Sequence, residues 1–215
     1  MIIIFNGPPG SGKDEAASYF KQRGFNHISF KHALFEETIA FFGVDKDWFM
    51  SGYNDRSVKE TPEELLDGMS RREAMIYISE DVTKPAFGKD IFGVKVAEEI
   101  EEGKNYAVSD GGFVEELTPI INKVGTGNVV LVQLTRDGCD YSKDSRRYFD
   151  GNLIKEYVLN HRTPINKQHV LSHKFKINTY RVHNNGAIND FHGALQEIYE
   201  SEKALNETAK EGKAA

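Results

Sequence analysis

Gly7-Pro8-Pro9-Gly10-Ser11-Gly12-Lys13-Asp14 sets a lysine directly behind a glycine-rich turn, between an apolar run and an amphipathic stretch. The spacing fits G-x-x-x-x-G-K, with Asp14 where Ser or Thr is usual. Four intervening residues let the backbone wrap an anion so that its N–H groups point inward. Gly10 and Gly12 permit backbone angles and close approaches that a side chain would block. A helix starting near Lys13 adds free N–H groups and the positive end of its dipole. Lys13 brings a point charge to the β- and γ-phosphates of a nucleoside triphosphate such as ATP. Gly10, Ser11, Gly12, Lys13 and Asp14 are the expected ATP-binding set. The Asp14 carboxylate either meets Mg²⁺ or only stabilises the first helical turn, and both readings stand.

Other residues could act on the same phosphates. Asp110 ends an apolar run at Asn105–Ser109; there a carboxylate can hold the water shell of Mg²⁺ or contact an acceptor, or simply cap a turn. Phosphoryl transfer between two nucleotides needs focused cations, and arginine binds two oxygens at once. Arg136 directly follows an apolar run, Arg71 and Arg72 open a helical stretch, and Arg146 and Arg147 lie in a polar segment. The seven histidines show no metal-ligand spacing, and His161, His169 and His173 read as a solvated loop. The single cysteine, Cys139, cannot form an internal disulfide and fits a reducing compartment.

The elements that must position these groups alternate between strand and helix. Met1–Phe5, His27–Phe30, Asn105–Ser109, Val129–Leu134 and Asn178–His183 read as strands. Lys13–Arg23, the Leu34–Phe42 stripe, Ser70–Val82, Ile91–Glu101 and the stripe Val114, Leu117, Ile120, Ile121, Val124 read as helices. A last helix is marked by Ile188, Phe191, Leu195, Ile198 and Leu205. Such alternation implies a parallel sheet covered on both faces. Asp45–Gly68 reads as an irregular, flexible insertion. Its aromatics Trp48, Phe49 and Tyr53 either pack that insertion or stack on a base, with packing favoured. Arg136–His173 has the size of a lid, and residues beyond about Asn206 should fray.

A chain of 215 residues with 39% hydrophobic and 28% charged residues suits one α/β domain. Met1–Phe5 is too short for a signal peptide or membrane span, so a cytoplasmic protein without membrane attachment is expected. A net charge of −6 and the absence of a basic stripe argue against nucleic acid as a partner.

Taken in order, GKD, ISFKHALFEETI, SRREAMIYISEDVTKPAFGKDIF, AVSDGGFVEEL, LTRDG and VHNNGAINDF make the chain resemble the deoxynucleoside monophosphate kinases of tailed bacteriophages. The resemblance implies a P-loop, three-layer α/β/α fold of the nucleoside monophosphate kinase type, with a five-stranded parallel sheet. It implies one domain over residues 1–205, with an acceptor-binding insertion at about 31–102, a lid at about 136–173 and a tail at 206–215. Lys13 and Asp14 would serve ATP and Mg²⁺, and Lys31, Arg71 and Lys84 the acceptor. Asp110 would stand between the two sites and share in catalysis and metal binding. Arg136 would face the transferring phosphoryl group, with Arg146 and Arg147 as lid candidates. A homodimer is compatible with it, and a phage origin would place the protein in host cytoplasm.

The chain departs from the family pattern at Phe35, Met75, Lys84 and Gly112, where lysine, glutamine, arginine and arginine are expected. All four lie on the acceptor side. The expected reaction moves the γ-phosphoryl of ATP to a (deoxy)nucleoside monophosphate. Its rivals are a kinase of another small phosphorylated metabolite and a nucleotide-binding regulatory protein without turnover.

Overall fold

The computed structural model describes every residue except Arg56, Lys143, Arg162, Pro164, His173, Lys174 and Ala215, and the backbone alone for residues 209–214. His173, one of the three loop histidines, therefore lies outside the described residues. The chain runs β1 (Ile2–Asn6), α1 (Lys13–Lys21), β2 (Asn26–Ile28), α2 (Phe30–Phe42), α3 (Lys46–Asn54) and α4 (Arg71–Tyr77). A π-helical turn over Ile78–Thr83 leads into α5 (Lys84–Phe87) and α6 (Ile91–Glu99). There follow β3 (Tyr106–Gly111), α7 (Val114–Val124), β4 (Val129–Thr135), α8 (Gly151–Asn160), α9 (Lys167–Leu171), β5 (Asn178–His183) and α10 (Ile188–Ala214).

The five strands form one parallel sheet in the order β2-β3-β1-β4-β5. β1 sits at its centre, and all five of its residues are buried, as expected for a continuous apolar run covered on both faces. On one face Ile3, Phe5, Val130 and Val132 meet Ala16, Ala17 and Phe20 of α1 and Phe191, Leu195 and Ile198 of α10. On the other, Ile2, Ile4, Val108 and Leu131 meet Phe92 and Val96 of α6, Leu117 and Ile120 of α7, and Ile154 and Val158 of α8. Among the described residues, no helix is long and apolar enough to cross a membrane.

Three sequence expectations change. Asp45–Gly68 is not wholly irregular: Asp45 caps α3 by accepting from the Trp48 N–H at 2.8 Å, and a short 3-10 turn follows at Glu64–Leu66. Phe49 and Leu66 from this stretch, with Ala74 and Met75 of α4, make a third apolar cluster. Phe49 is buried completely, and the Phe35 and Tyr53 rings meet edge-on at 4.7 Å, so these aromatics pack the segment.

The span 136–173, read as polar throughout, also contributes described residues to the core. Phe149, Ile154, Val158, Ile165 and Val170 are buried in the main core, because α8 and α9 carry their own apolar stripes. Finally, the backbone of α10 is helical to Ala214, past Leu205 where the apolar pattern of the last helix ends. Its buried stripe is Phe191, Leu195 and Ile198, whereas Ile188 and Leu205 are each about half exposed.

Candidate functional site

Parallel α/β sheets present their ligands at the carboxyl ends of the strands. Here the loop after central β1 carries Gly7–Gly12, β3 beside it delivers Asp110, and β4 on the other side leads to Arg136. Asn6 ties that edge together. Its amide donates to the carbonyl of Gly111 (3.1 Å), to the Tyr141 hydroxyl (3.2 Å) and to the carbonyl of Arg147 (3.0 Å). Its own oxygen accepts from the Phe149 N–H at 3.1 Å. Gln133, level with Asn6 on β4, donates to the carbonyl of Phe149 at 2.9 Å. Asn6 and Gln133 together thus tie Tyr141, Arg147 and Phe149 to the strand ends.

The loop has the geometry an anion requires. Gly12 caps α1 with φ at 103°, a left-handed conformation that costs any residue with a Cβ. Asn184, just past β5, donates its amide to the carbonyl of Ser11 at 3.0 Å and braces the loop from outside. The Ser11 hydroxyl is buried without a hydrogen-bond partner among the described residues. Lys13 is 9% exposed and folds back, donating from Nζ to the carbonyls of Gly7 (2.7 Å) and Pro8 (2.8 Å). Burial lowers its pKa to about 8, helped by the positive charges of Arg146 and Lys31 and opposed by Asp14 and Asp110. A lysine parked on its own loop, with two other cations close by, is short of negative charge.

β3 carries one extra residue against β1: Ile4 pairs with Val108, but Asn6 pairs with Gly111. Such bulges re-aim side chains. Asp110, 6% exposed, turns both carboxylate oxygens to the start of α2, accepting from the N–H groups of Phe30 (3.0 Å) and Lys31 (2.9 Å). It caps that helix and so anchors Lys31. Asp14 is exposed in the first turn of α1. Among the described residues no three His, Cys, Asp or Glu side chains converge as a metal cage. The free Asp14 carboxylate fits a cation that would be held mostly by phosphate oxygens and water, whereas both oxygens of Asp110 already accept N–H groups.

Other expected site residues scatter. Arg71 is 3% exposed and lies beside the third apolar cluster, its guanidinium 4.1 Å from the centre of the Trp48 ring and 2.6 Å from Glu63. Its Nε is buried with no partner among the described residues. A Cβ on Gly52 would come within 2.2 Å of that guanidinium, which explains a glycine inside α3. Lys84 pairs with Glu80 at 2.6 Å and lies 4.4 Å from the centre of the Phe113 ring. These three residues help line a cavity of about 270 Å³, together with Pro85, Lys89, Glu115 and Ser145. Beside Lys84, Glu116 is buried, and desolvation, then the Asp110 charge, push its carboxyl well above the usual carboxylate range. Arg136 stays exposed on the loop's rim, and among the described residues its side chain makes only a long 3.5 Å reach to the carbonyl of Gly10. Arg147 is exposed, whereas Arg146 is drawn inward.

The structure therefore gathers Lys13, Asp14, Lys31, Asp110 and Arg146, and leaves Arg71, Arg136 and Arg147 outside that group. Sequence reasoning missed Asn6, Asn184, Asp144 and Glu116. Asn6 had a signal, a polar residue closing an apolar strand directly before the glycine loop, and Asn184 read only as a turn residue.

The sheet order, the helices on both faces and the loop after the central strand make this a P-loop α/β fold. The structure is similar to a presumed kinase from Chloroflexus aurantiacus, with 13% identity and a TM-score of 0.43 over 94% of this chain and 96% of the other. It is also similar to dephospho-CoA kinase from Campylobacter jejuni, with 10% identity and a TM-score of 0.41 over the same shares. No protein-family model matches the chain, and no curated protein sequence does.

Proposed function

We propose that this protein is an ATP-dependent kinase that moves the γ-phosphoryl group to a nucleoside monophosphate, ribo- or deoxyribo-, giving the diphosphate. The observation that carries the reading is the gathering of Lys13, Lys31 and Arg146 around Asp110 at the carboxyl edge of the sheet, beside a phosphate loop. An acceptor phosphate is already an anion and needs no strong general base; catalysis is then positioning and charge stabilisation. Lys13 would leave the carbonyls of Gly7 and Pro8 for the β- and γ-phosphates. Asp110 would hold α2 in place, so that Lys31 faces the acceptor phosphate. Asp14 would be the carboxylate to hold Mg²⁺, which would supply neutralising charge to the phosphates when bound with ATP. The resemblance to phage deoxynucleoside monophosphate kinases supports a nucleotide acceptor. The cavity beside Lys84 and Phe113 offers a ring face and paired charges for it.

The test offers each ribo- and deoxyribonucleoside monophosphate to the protein with ATP and Mg²⁺. Diphosphate should form from one or a few of them and fall by about 10²–10³-fold in Lys13→Ala, the loss expected for one charge stabiliser. ATP binding without diphosphate from any acceptor would move the assignment to another small metabolite or to a regulatory role.

A further inference from the structure

Gly112 follows the bulged end of β3, and the space beside it is taken. A Cβ built there would stand 2.2 Å from Cδ, 2.6 Å from Cγ and 3.2 Å from Cβ of Arg146. The aliphatic stem of Arg146 occupies the volume that any larger residue at 112 would fill. The head is fixed too. Asp144 accepts from Nε of Arg146 at 2.8 Å, from its Nη2, and from its backbone N–H at 3.0 Å. The two side chains are 16% and 9% exposed. A two-pronged pair so shielded fixes the plane of the guanidinium as well as its place.

What remains of the head is available. Nη1 of Arg146 takes no hydrogen-bond partner among the described residues. Its charge acts on Lys13 and is itself acted on by Asp110, so it stands within electrostatic reach of both. Arg136 is not among the charges acting on Lys13 and holds only the outer carbonyl of Gly10.

We propose that Arg146, its stem seated on Gly112 and its head oriented by Asp144, is the arginine that stabilises the phosphoryl group in transfer, in place of Arg136. This rests on the kinase reading above. In the step, the bond from the γ-phosphorus to the bridging oxygen breaks, and its electron pair leaves with ADP. A bond forms from that phosphorus to an oxygen of the acceptor phosphate. Negative charge gathers on the oxygens around the phosphorus, where a guanidinium stabilises it. Asp144 is a positioning residue, and Gly112 provides the clearance.

With the best acceptor from the screen, kcat and the Kd for ATP are measured for the wild type, R146A, R136A, D144N, G112A and the double variant G112A/R146A. R146A should lose about 10²–10³-fold in kcat while its ATP Kd moves less than about threefold, and added guanidinium ion should restore part of the rate. R136A should lose at least tenfold less than R146A. D144N should lower kcat with little change in KM. G112A should slow the enzyme only while Arg146 is present, so the double variant should be no slower than R146A alone. Wild-type kcat in R146A, or losses in G112A and R146A that multiply, would overturn the assignment while the kinase reading survives. Should G112A fail to fold, the guanidinium rescue of R146A decides alone. A wild type that binds ATP and transfers to no acceptor overturns both readings together.

Discussion

The phosphate loop and the apolar cluster around Phe49 are built by different means. Backbone makes the loop: a left-handed Gly12, carbonyls aimed at Lys13, and an amide from Asn184 against Ser11. Its specification is mostly local, eight consecutive residues braced from outside by one side chain, Asn184. Side chains make the cluster, drawn from α2, α3, the turn at Glu64–Leu66 and α4, with Arg71 buried among them. Its specification is distributed, and no short stretch of sequence contains it. A site built from backbone resists drift in its neighbours, whereas one built from side chains can change its ligand by exchanging a few of them. Phe35 and Met75 fill the cluster at positions where the resemblance led to expecting polar residues.

If the two regions are independent, damage to one should leave the other's binding intact. The largest effect should come from Phe49→Ala. Removing a fully buried phenyl ring costs about 3–5 kcal/mol. Hydrogen exchange over residues 46–77 should accelerate, while the Kd for ATP stays within about twofold. An ATP affinity that fell in step with the cluster's protection would show that the regions are one unit.

Gly12→Ala strikes the other side. At φ 103° an added Cβ would also stand 2.4 Å from the Asn184 amide nitrogen. Left-handed strain and a lost hydrogen bond to Ser11 together cost about 2–3 kcal/mol. Urea unfolding should report that loss, ATP binding should weaken more than tenfold, and exchange over 46–77 should stay as in the wild type. Accelerated exchange there would break the separation from the opposite direction.

The same contrast explains what could be read from sequence. The three central strands β1, β3 and β4 were legible because strands buried on both faces show as apolar runs, whereas the edge strands β2 and β5 are largely exposed and showed only through their place in the strand–helix alternation. The phosphate loop was legible too. The fold of Asp45–Gly68 was not, since α3 has a glycine at its centre whose reason, the Arg71 guanidinium, lies on another helix. Residues 136–173 read as a lid because what ties their first part down, polar contacts from Asn6 and Gln133 and the buried ring of Phe149, joins residues far apart in sequence. The pairing of Gly112 with Arg146 joins residues distant in sequence, and neither carries a local sign of the other.

A smaller effect sharpens the electrostatics of the loop. Lys13 has a pKa of about 8 in the free protein, and bound phosphates favour its charged form, so binding takes up a proton above that pH. Affinity for ATP should fall as pH rises through 8, by up to tenfold or about 1.4 kcal/mol per pH unit. Stability has the opposite sign. The folded value lies below the ordinary 10.5, so the cost of burying the charged lysine is present below pH 8 and relieved as pH climbs toward 10.5. Lys13→Arg, charged throughout, should flatten the affinity profile even where it binds less well. A wild-type profile already flat from about pH 7 to 9.5 would mean that Lys13 keeps an ordinary pKa.

The smallest effect concerns Glu116, at the edge between the two regions. Buried and near Asp110, Glu115 and Glu80, with only Lys84 opposing, its carboxyl is pushed upward in the folded protein. A folded pKa raised above the unfolded value means that the folded state holds the extra proton. The stabilisation is therefore complete below about pH 4.5 and drains away as pH rises toward the folded pKa. Glu116→Gln keeps the size and removes the titration. Its melting temperature should match the wild type near pH 4.5 and exceed it by about 2–4 °C at pH 8, the shift expected for roughly 1 kcal/mol in a chain of this length. Because Asp110 is the largest charge acting on Glu116, Asp110→Asn should shrink the pH-dependent difference that Glu116→Gln makes. An undiminished difference would leave desolvation as the whole cause and detach Glu116 from the carboxylate that caps α2.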